Sequence, residues 1–349
     1  ANIGNDKLKW ETVTRISVGL DMSVWHDRLS LGFNYYKSYV NNMLAYKTLG
    51  GVSGLRNYWS NEGKMENQGF DVAAVAKVMA LKDFSWEISA SVGHYKNEVT
   101  ALPDNDKTIY TSVYGGEGMT KVGNPIGLFY GYKTQGGFAT SEEAAKTDLR
   151  NGSENGSAFR AGDVHFSDLV ADGVIDNKDK DVIGNPNPDV FGNFGTSLHY
   201  KNWTLDAFFS YSLGNDIYNY QRAVLESGNS YYNQTTAMLN RWTSEGQLTS
   251  IPRVEYGDRM GNARFSDRWI EDGSYLKLKT LSLSYRFPFN LTFLQGITVW
   301  GAANNLFTCT KYLGSDPELS ISGNPIYQGI DRGLLGHGRS FVLGVKINL

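Results

Sequence analysis

The chain has 349 residues, of which 33 are Lys or Arg and 36 are Asp or Glu, so its formal net charge at pH 7 is −3. Nucleic-acid-binding proteins need a basic surface that displaces counterions, and this balanced composition argues against that class. Apolar residues make up 41% of the chain, which argues against bulk disorder. No run approaches the ~20 apolar residues of a membrane-spanning helix, whereas membrane-spanning strands alternate and need no such run.

The frequencies of individual residue types favour β structure. Gly (39 residues) and aromatic residues (13%) are frequent, whereas Pro occurs only 8 times. Cys309 is the only cysteine, so no disulfide can form within this sequence. The first ten residues are polar and contain no signal-peptide core, which suggests a processed or truncated chain.

Apolar and polar residues alternate through several segments. In the first of them, Ile16, Val18 and Leu20 occupy one face, and Ser17 and Gly19 occupy the other. Alternation of this kind predicts strands with one apolar and one polar face. The predicted strands cover roughly 13–25, 28–43, 67–81, 84–98, 191–201, 203–218, 271–287, 296–308 and 338–349.

The strand predicted over 271–287 contains one break in the alternation. Leu276 and Leu278 share one face, whereas the apolar residues from Leu281 onward fall on the other. A bulge near 279–280 would bring both groups onto one face. Alternatively, the first two leucines lie on the polar face, and the sequence leaves both arrangements open.

The connections distinguish a membrane barrel from a soluble sandwich, which would show the same alternation. Short turns join some strands into hairpins, and long segments near 45–66, 99–190, 219–270 and 309–337 separate those hairpins. Compact soluble domains rarely contain several loops longer than ~15 residues, whereas outer-membrane barrels alternate short periplasmic turns with long extracellular loops. The predicted fold is therefore an all-β, antiparallel transmembrane β-barrel.

The strand count predicts that this barrel is incomplete. The predicted strands begin outside the cell and end in the periplasm, whereas a complete bacterial barrel has an even number of strands and both ends on the periplasmic side. The first and last strands would also have unpaired edges, which promote aggregation. We therefore predict that residues 1–349 are the C-terminal part of a larger barrel whose N-terminal strands lie outside this sequence.

Several motifs occur in one order along nearly the whole chain. They are Leu8-Lys9-Trp10-Glu11, Gly127-Leu128-Phe129-Tyr130-Gly131-Tyr132, Gly162-Asp163-Val164, Asp172-Gly173-Val174-Ile175-Asp176, Ile183-Gly184-Asn185-Pro186-Asn187-Pro188, Gly214-Asn215-Asp216-Ile217-Tyr218-Asn219, Gly273-Ser274-Tyr275-Leu276-Lys277-Leu278-Lys279, Asn304-Asn305-Leu306-Phe307 and Gly314-Ser315-Asp316-Pro317-Glu318. In this order they resemble the SusC/RagA-type TonB-linked outer-membrane proteins of Bacteroidetes. The chain departs from many outer-membrane barrels in ending on Leu349 rather than on an aromatic residue.

The resemblance implies a barrel of about 22 strands with a plug domain and a TonB box, of which about nine or ten C-terminal strands lie here. It implies a bacterial outer-membrane importer for a nutrient, either an oligosaccharide (glycan) or a peptide. The partners it implies are the rest of the same barrel with its plug, a SusD-like surface lipoprotein, the TonB complex and outer-membrane lipid, without nucleic acid. The alternatives are a passive outer-membrane pore or adhesin barrel, and a soluble carbohydrate-binding β protein.

One acidic segment follows the spacing of a calcium-binding loop. Asp168, Asp172, Asp176 and Asp179 occupy positions 1, 5, 9 and 12 of an EF-hand-like loop, and Val174 at position 7 would offer its carbonyl oxygen. Position 3 is a valine without a side-chain oxygen, and position 12 is Asp rather than the longer Glu. The spacing predicts a structural Ca²⁺ site, and the alternative is an Asx-rich turn held by backbone hydrogen bonds.

Aromatic residues cluster in the long segments, where their rings can stack on sugar rings, pack the loops or meet a partner protein. The residues predicted to contact substrate are Tyr114, Tyr130, Tyr132, Tyr218, Tyr220 and Trp242. The five histidines show no metal-binding spacing, and no Ser-His-Asp or Cys-His signature occurs. We therefore predict no enzyme activity, no catalytic residue and no cofactor apart from Ca²⁺.

Overall fold

The computed structural model describes residues 5–48, 57–103, 107–291 and 294–348. In chain order the strands are β1 (Thr12–Val24), β2 (Leu29–Thr48), β3 (Asn57–Ala80), β4 (Phe84–Ala101), β5 (Thr108–Val113), β6 (Gly116–Lys121), β7 (Leu128–Tyr132), β8 (Thr134–Gly137), β9 (Arg150–Asn151), β10 (Val164–Phe166), β11 (Val174–Ile175), β12 (Lys180–Gly184), β13 (Val190–Tyr200), β14 (Trp203–Leu213), β15 (Asp216–Asn219), β16 (Ile270–Asp272), β17 (Tyr275–Leu291), β18 (Leu294–Thr310), β19 (Ile330–Asp331) and β20 (Ser340–Asn348). The α-helices are α1 (Ser141–Thr147) and α2 (Tyr220–Leu225). No helix in the described ranges is long and apolar enough to cross a membrane.

Nine long strands form one sheet in the order β1-β2-β3-β4-β13-β14-β17-β18-β20. Every neighbouring pair is antiparallel, and the spatial order follows the chain order. The antiparallel all-β prediction is confirmed, because each of these nine strands lies where alternation placed one. Within the described residues, the outer edges of β1 and β20 pair with no further strand.

The pairing register separates an apolar face of this sheet from a polar one. Leu20 pairs with Phe33, and its neighbour Asp21 pairs with Gly32. Paired residues of an antiparallel sheet lie on the same face, so apolar and polar side chains segregate across the strands. Leu20 is 61% exposed, and Leu343 on β20 is 87% exposed. An apolar face this open needs a non-aqueous environment.

A bulge resolves the break in β17. Leu278 pairs with Phe209, and Thr280 pairs with the preceding residue of β14, so Lys279 lies between two consecutive pairs. The register against β18 shifts at the same place. Leu278 and the apolar residues from Leu281 onward, which alternate with serines, therefore share the apolar face. The bulge interpretation is confirmed, and the alternative that the first leucines lie on the polar face is wrong.

Strands β2 and β3 extend farther than the alternation predicted. β2 continues to Thr48 and β3 begins at Asn57, so strand occupies most of the long segment predicted near 45–66. Residues 49–56 lie outside the described ranges. The register of this pair shifts on both sides of Met43, and the start of β3 has polar residues on both faces. Both features interrupt the alternation of apolar and polar residues, although the strand itself continues.

The strand predicted over 203–218 ends earlier, at Leu213. Gly214 adopts a φ of +82°, a backbone conformation that breaks the strand. The next residues form the separate strand β15, which pairs with β16 and β19. The single strand predicted from the sequence is therefore two strands, one in the main sheet and one in the long segments.

The other long segments fold into small sheets and packed cores of their own. Strands β12, β7, β6 and β5 form a four-stranded sheet, and β16, β15 and β19 form a three-stranded sheet. One core contains Val113, Phe129, Tyr218, Trp269 and Ile330, which come from three different long segments. A second core is built from the following residues: Tyr132, Phe138, Ala144, Leu149, Phe159, Val164, Phe166, Ile175 and Met260. The long segments therefore pack against one another.

We expect an Arg on the apolar face to cost far more stability than an Arg on the polar face. On β4, Ala90 lies on the apolar face and the adjacent Ser89 lies on the polar face. If lipid covers the apolar face, Ala90→Arg in the full-length protein should cost ~2–4 kcal/mol of folding free energy in bilayers. The matched control Ser89→Arg should stay within ~1 kcal/mol. Denaturant titration with vesicle-embedded protein measures both, and equal costs would contradict the assignment of faces.

Candidate functional site

A charged cluster is buried where the last long segment meets β17. Lys277 is 2% exposed, and its ammonium donates to Asp316 Oδ2 at 2.9 Å and to Glu318 Oε2 at 2.6 Å. Lys279 Nζ also donates to Glu318 Oε2, at 2.7 Å, and the backbone N–H of His337 donates to Asp316 at 3.0 Å. Two ammonium groups thus balance two carboxylates, which is what buried charges require. The cluster fastens the last long segment to the wall of the sheet.

The same cluster has the side chains of a metal site. Ligand atoms of Asp316, Glu318 and His337 all lie within 4.8 Å of one another. The Lys277 ammonium contacts both carboxylates, so the charge a cation would supply is already present. We therefore interpret the group as an internal ion cluster. Histidine spacing could not reveal it, because His337 and Asp316 are 21 residues apart in the chain.

The ionisation of Asp316 follows from these contacts. Burial alone would raise the pKa of this carboxyl, but hydrogen bonds from Lys277 and His337 outweigh burial and lower it to about 2. Hydrogen bonds from Lys277 and Lys279 likewise outweigh burial and lower the pKa of Glu318. A lowered pKa means that the folded state favours the carboxylate. Asp316 therefore stabilises the fold above its ordinary pKa of 3.8, and this contribution disappears as the pH falls through about 2.

Three of the six aromatic residues predicted to contact substrate hold the long segments together. Tyr132 and Tyr218 are 8% and 3% exposed and belong to the two loop cores. The Trp242 ring packs against Gly162, where a Cβ atom would lie 2.5 Å from the ring. Its indole N–H donates to the carbonyl oxygen of Ala139 at 3.1 Å. Packing, the alternative to substrate contact, accounts for the positions of these three side chains.

Tyr114 and Tyr220 form a second group, with ring centroids 5.4 Å apart. The guanidinium of Arg332 lies 5.1 Å from the centroid of the Tyr114 ring, and its Nη1 donates to the Tyr114 hydroxyl at 3.1 Å. Tyr218 donates its hydroxyl to the Tyr114 backbone carbonyl at 3.0 Å. Tyr114 is 39% exposed, so this group is open to solvent at a junction of three long segments.

Tyr130 lies on the open face of the sheet formed by β5, β6, β7 and β12. Its ring centroid is 4.9 Å from that of Tyr110, and Glu117 and Lys180 form an ion pair of 2.9 Å nearby. A cavity of about 410 Å³, here called the sheet-face cavity, opens at this place. It is lined by Ser112, Gly115, Gly116, Glu117, Tyr130, Gly131, Tyr132, Lys180, Arg264 and Phe265. Two of its tyrosines are among the predicted substrate contacts, whereas its charged residues were not predicted, because they come from separate strands and loops.

The acidic segment folds as a network of Asx-type turns. The Asp168 carboxylate accepts hydrogen bonds from three backbone N–H groups, and the buried Asp179 carboxylate accepts three more. The Lys178 ammonium lies 3.6 Å from Asp172 Oδ2 and 3.8 Å from Asp176 Oδ2. Val174, whose carbonyl was the expected ligand at position 7, lies in β11 beside β9. These contacts are the ones expected for an Asx-rich turn held by backbone hydrogen bonds. Calcium binding stays a prediction.

The sheet and its loops define a class of protein. An antiparallel meander with one open apolar face, one polar face and two edges that pair with no strand among the described residues is a portion of a membrane β-barrel wall. Residues 1–306 match the family described as "TonB dependent receptor-like, beta-barrel". The chain therefore belongs to the TonB-dependent receptor β-barrel family, and its place is the bacterial outer membrane.

Relatives specify the type within this family. The chain is 31% identical to TonB-dependent receptor P3 of Formosa agariphila, over 99% of the chain and 35% of that protein. It is 28% identical to TonB-dependent receptor SusC of Bacteroides thetaiotaomicron, over 98% of the chain and 32% of that protein. These matches confirm the resemblance to the SusC/RagA type. The chain spans about a third of the length of the curated relatives it matches.

A solved structure shows the same fold. The chain superposes on a chain of the RagAB peptide transporter with a TM-score of 0.79 and 23% identity, covering 99% of this chain and 36% of that one. At this identity the comparison concerns the fold alone. The superposed region is about a third of that chain, so the nine-stranded sheet has the fold of one part of that larger barrel.

We expect removal of the central cation of the buried cluster to loosen the last long segment. Lys277→Met leaves two buried carboxylates with too little positive charge, which should cost ~3–5 kcal/mol. In the control Lys133→Met, the lost partner Asp181 is half-exposed, so the cost should stay below ~1 kcal/mol. Hydrogen exchange of residues 311–337 in the full-length protein measures the difference. Equal protection in both variants would show that the cluster does not hold this segment.

Proposed function

We propose that this chain forms the C-terminal barrel wall of an outer-membrane nutrient importer that is driven through TonB and works with a SusD-like surface lipoprotein. The observation that carries this proposal is the nine-stranded sheet with an open apolar face, whose edges at β1 and β20 pair with no other strand in the described part of the chain. Such a sheet needs lipid on one side and further strands at both edges. The remaining strands, the plug domain and the TonB-binding segment belong to the part of the importer outside this sequence.

The substrate of the importer is proposed from the relatives and from the loops. RagAB is a peptide transporter, and the resemblance to the SusC/RagA type implies either an oligosaccharide or a peptide, so both peptides and glycans are candidate substrate classes. The open tyrosines Tyr114, Tyr130 and Tyr220 offer ring faces to either class, whereas Tyr132, Tyr218 and Trp242 serve mainly to pack the loops. Import requires recognition and a path rather than bond chemistry, so we propose no enzyme activity.

The first alternative function is a passive pore or adhesin built on the same wall. The relatives are named TonB-dependent receptors, which favours energised import over a passive pore. The second alternative, a soluble carbohydrate-binding protein, does not agree with membership in an outer-membrane barrel family.

Energised import predicts a specific response to loss of the proton gradient. In the source bacterium, deletion of the full-length gene should abolish growth on one class of oligosaccharide or peptide within a nutrient panel. Uptake of that labelled nutrient by wild-type cells should fall to the background level after a protonophore is added, since TonB transmits energy from the inner membrane. Uptake that continues at the original rate after the gradient collapses would instead support the passive pore.

We further propose that the acidic segment binds one structural Ca²⁺. Four aspartates at the expected spacing support this proposal, whereas the missing oxygen at position 3 and the nearby Lys178 argue for weak affinity, in the ~10⁻⁴–10⁻³ M range of extracellular modules. Equilibrium dialysis with radioactive calcium should show one fewer bound ion in the full-length double variant Asp168→Asn/Asp172→Asn. Glu142→Gln, an exposed acidic residue of the same long segment, serves as the control. An unchanged ion count in the double variant would contradict the proposal.

A further inference from the structure

Arg264 is a cation without a carboxylate partner. Its Nε donates to the carbonyl oxygen of Gly261 at 2.8 Å, and its Nη2 donates to Asn151 Oδ1 at 2.7 Å and to the carbonyl oxygen of Met260 at 2.6 Å. Its guanidinium also has a side-chain hydrogen bond to the Tyr132 hydroxyl, and no carboxylate in the described part of the chain forms an ion pair with it. Buried charges are normally paired with an opposite charge.

The surroundings of Arg264 hold the guanidinium in place without neutralising it. Its central carbon lies 4.6 Å from the centroid of the Phe166 ring and 4.9 Å from that of Tyr132. Burial lowers the pKa of Arg264, and the hydroxyl of Tyr132 and the carboxylate of Asp258 only partly oppose this effect. Arg264 is thus a cation that its neighbours hold in place beside the sheet-face cavity, which it lines.

The charged residues that line this cavity leave an excess of one positive charge. Lys180 is paired with Glu117 at 2.9 Å, and its ammonium also lies 5.8 Å from the centroid of the Tyr132 ring. The pair is neutral, so Arg264 supplies the remaining charge. A guanidinium without a carboxylate partner is suited to bind the oxygen atoms of a carboxylate or a sulfate ester.

Aromatic residues and glycines line much of the cavity. Tyr130 and Tyr132 share one face of the sheet with Tyr110, and Phe265 packs against Gly116 and Gly131. The nearby glycines add no side chains, and a Cβ atom at Gly116 would lie 2.7 Å from the Phe265 ring. A volume of about 410 Å³ lies within the ~300–1,000 Å³ range of ligand pockets. The Tyr130 ring can cover the apolar face of a pyranose, and Ser112, Glu117 and Lys180 can hydrogen-bond its hydroxyl groups.

We propose that the sheet-face cavity binds an acidic sugar unit of the imported substrate, with Arg264 holding its carboxylate or sulfate group. The cavity lies in the packed long segments rather than in the sheet wall, so it would select substrate before passage through the barrel. This inference rests on the proposed import function and adds a preference for acidic glycans over neutral glycans and peptides.

Binding to the purified full-length protein tests the inference by isothermal titration calorimetry. The probes are a tetra-galacturonate, a sulfated galactotetraose, a neutral galactotetraose and a tetra-aspartate peptide. We expect one or both acidic sugars to bind about tenfold more tightly than the neutral sugar, because a hydrogen bond to a charged group contributes that much. The two acidic sugars distinguish a carboxylate from a sulfate as the recognised group.

Two variants and one control assign that binding to the cavity. Arg264→Met should weaken binding of the acidic sugar about tenfold and leave the neutral sugar unchanged. Ser112→Trp fills the cavity from its exposed rim without changing Arg264, and it should abolish binding of both sugars. Arg259→Met removes an exposed arginine of the same long segment that does not line the cavity, and it should have no effect.

Three results would overturn the inference: equal affinity for the acidic and neutral sugars, unchanged binding in both Arg264→Met and Ser112→Trp, or binding of the peptide alone. The import function is tested separately by nutrient uptake in cells that carry these variants. Energised uptake that persists although the protein binds no acidic sugar would reject the cavity assignment and leave the import function standing.

Discussion

The need to satisfy every backbone N–H and C=O group inside a lipid bilayer determines the rest of this structure. Hydrocarbon offers no hydrogen bonds, so strands can cross it only in a sheet that closes on itself. The main sheet meets this requirement between β1 and β20, where each strand pairs with its neighbours. It leaves both outer edges to strands from elsewhere. The open apolar face, the polar face opposite it and the free outer edges of the described sheet agree with this one constraint.

The long segments obey a different rule, because they meet water and must bury apolar surface among themselves. Phe129, Tyr218 and Ile330 come from three segments that are far apart in the chain, and they share one core. The ion cluster around Lys277 then attaches the last of these long segments to the main sheet. Since the core and the cluster fix the loops relative to the barrel, Arg264 and the tyrosines can form a stable recognition surface.

The main sheet could be predicted from sequence because its polarity alternates at every residue. The prediction fell short at two places: Met43 lies between two register shifts, where β2 runs farther than predicted, and Gly214 ends a strand that was predicted to continue to residue 218. The bulge at Lys279 was one of two arrangements that the sequence left open. Site residues were harder to predict. Lys277, Asp316 and His337 meet only in three dimensions, and the lone cation Arg264 is recognised by the absence of a partner, which a sequence cannot show.

The central claim is that the two sheet edges are closed by further strands of the same protein within a lipid bilayer. Electron cryomicroscopy of the full-length protein in lipid nanodiscs tests this claim most directly. The account predicts continuous antiparallel hydrogen bonding from β1 and from β20 into one closed barrel, with the apolar face of Leu20 and Leu343 against lipid. An open sheet in that map, or edges paired with a second copy of the protein, would contradict it.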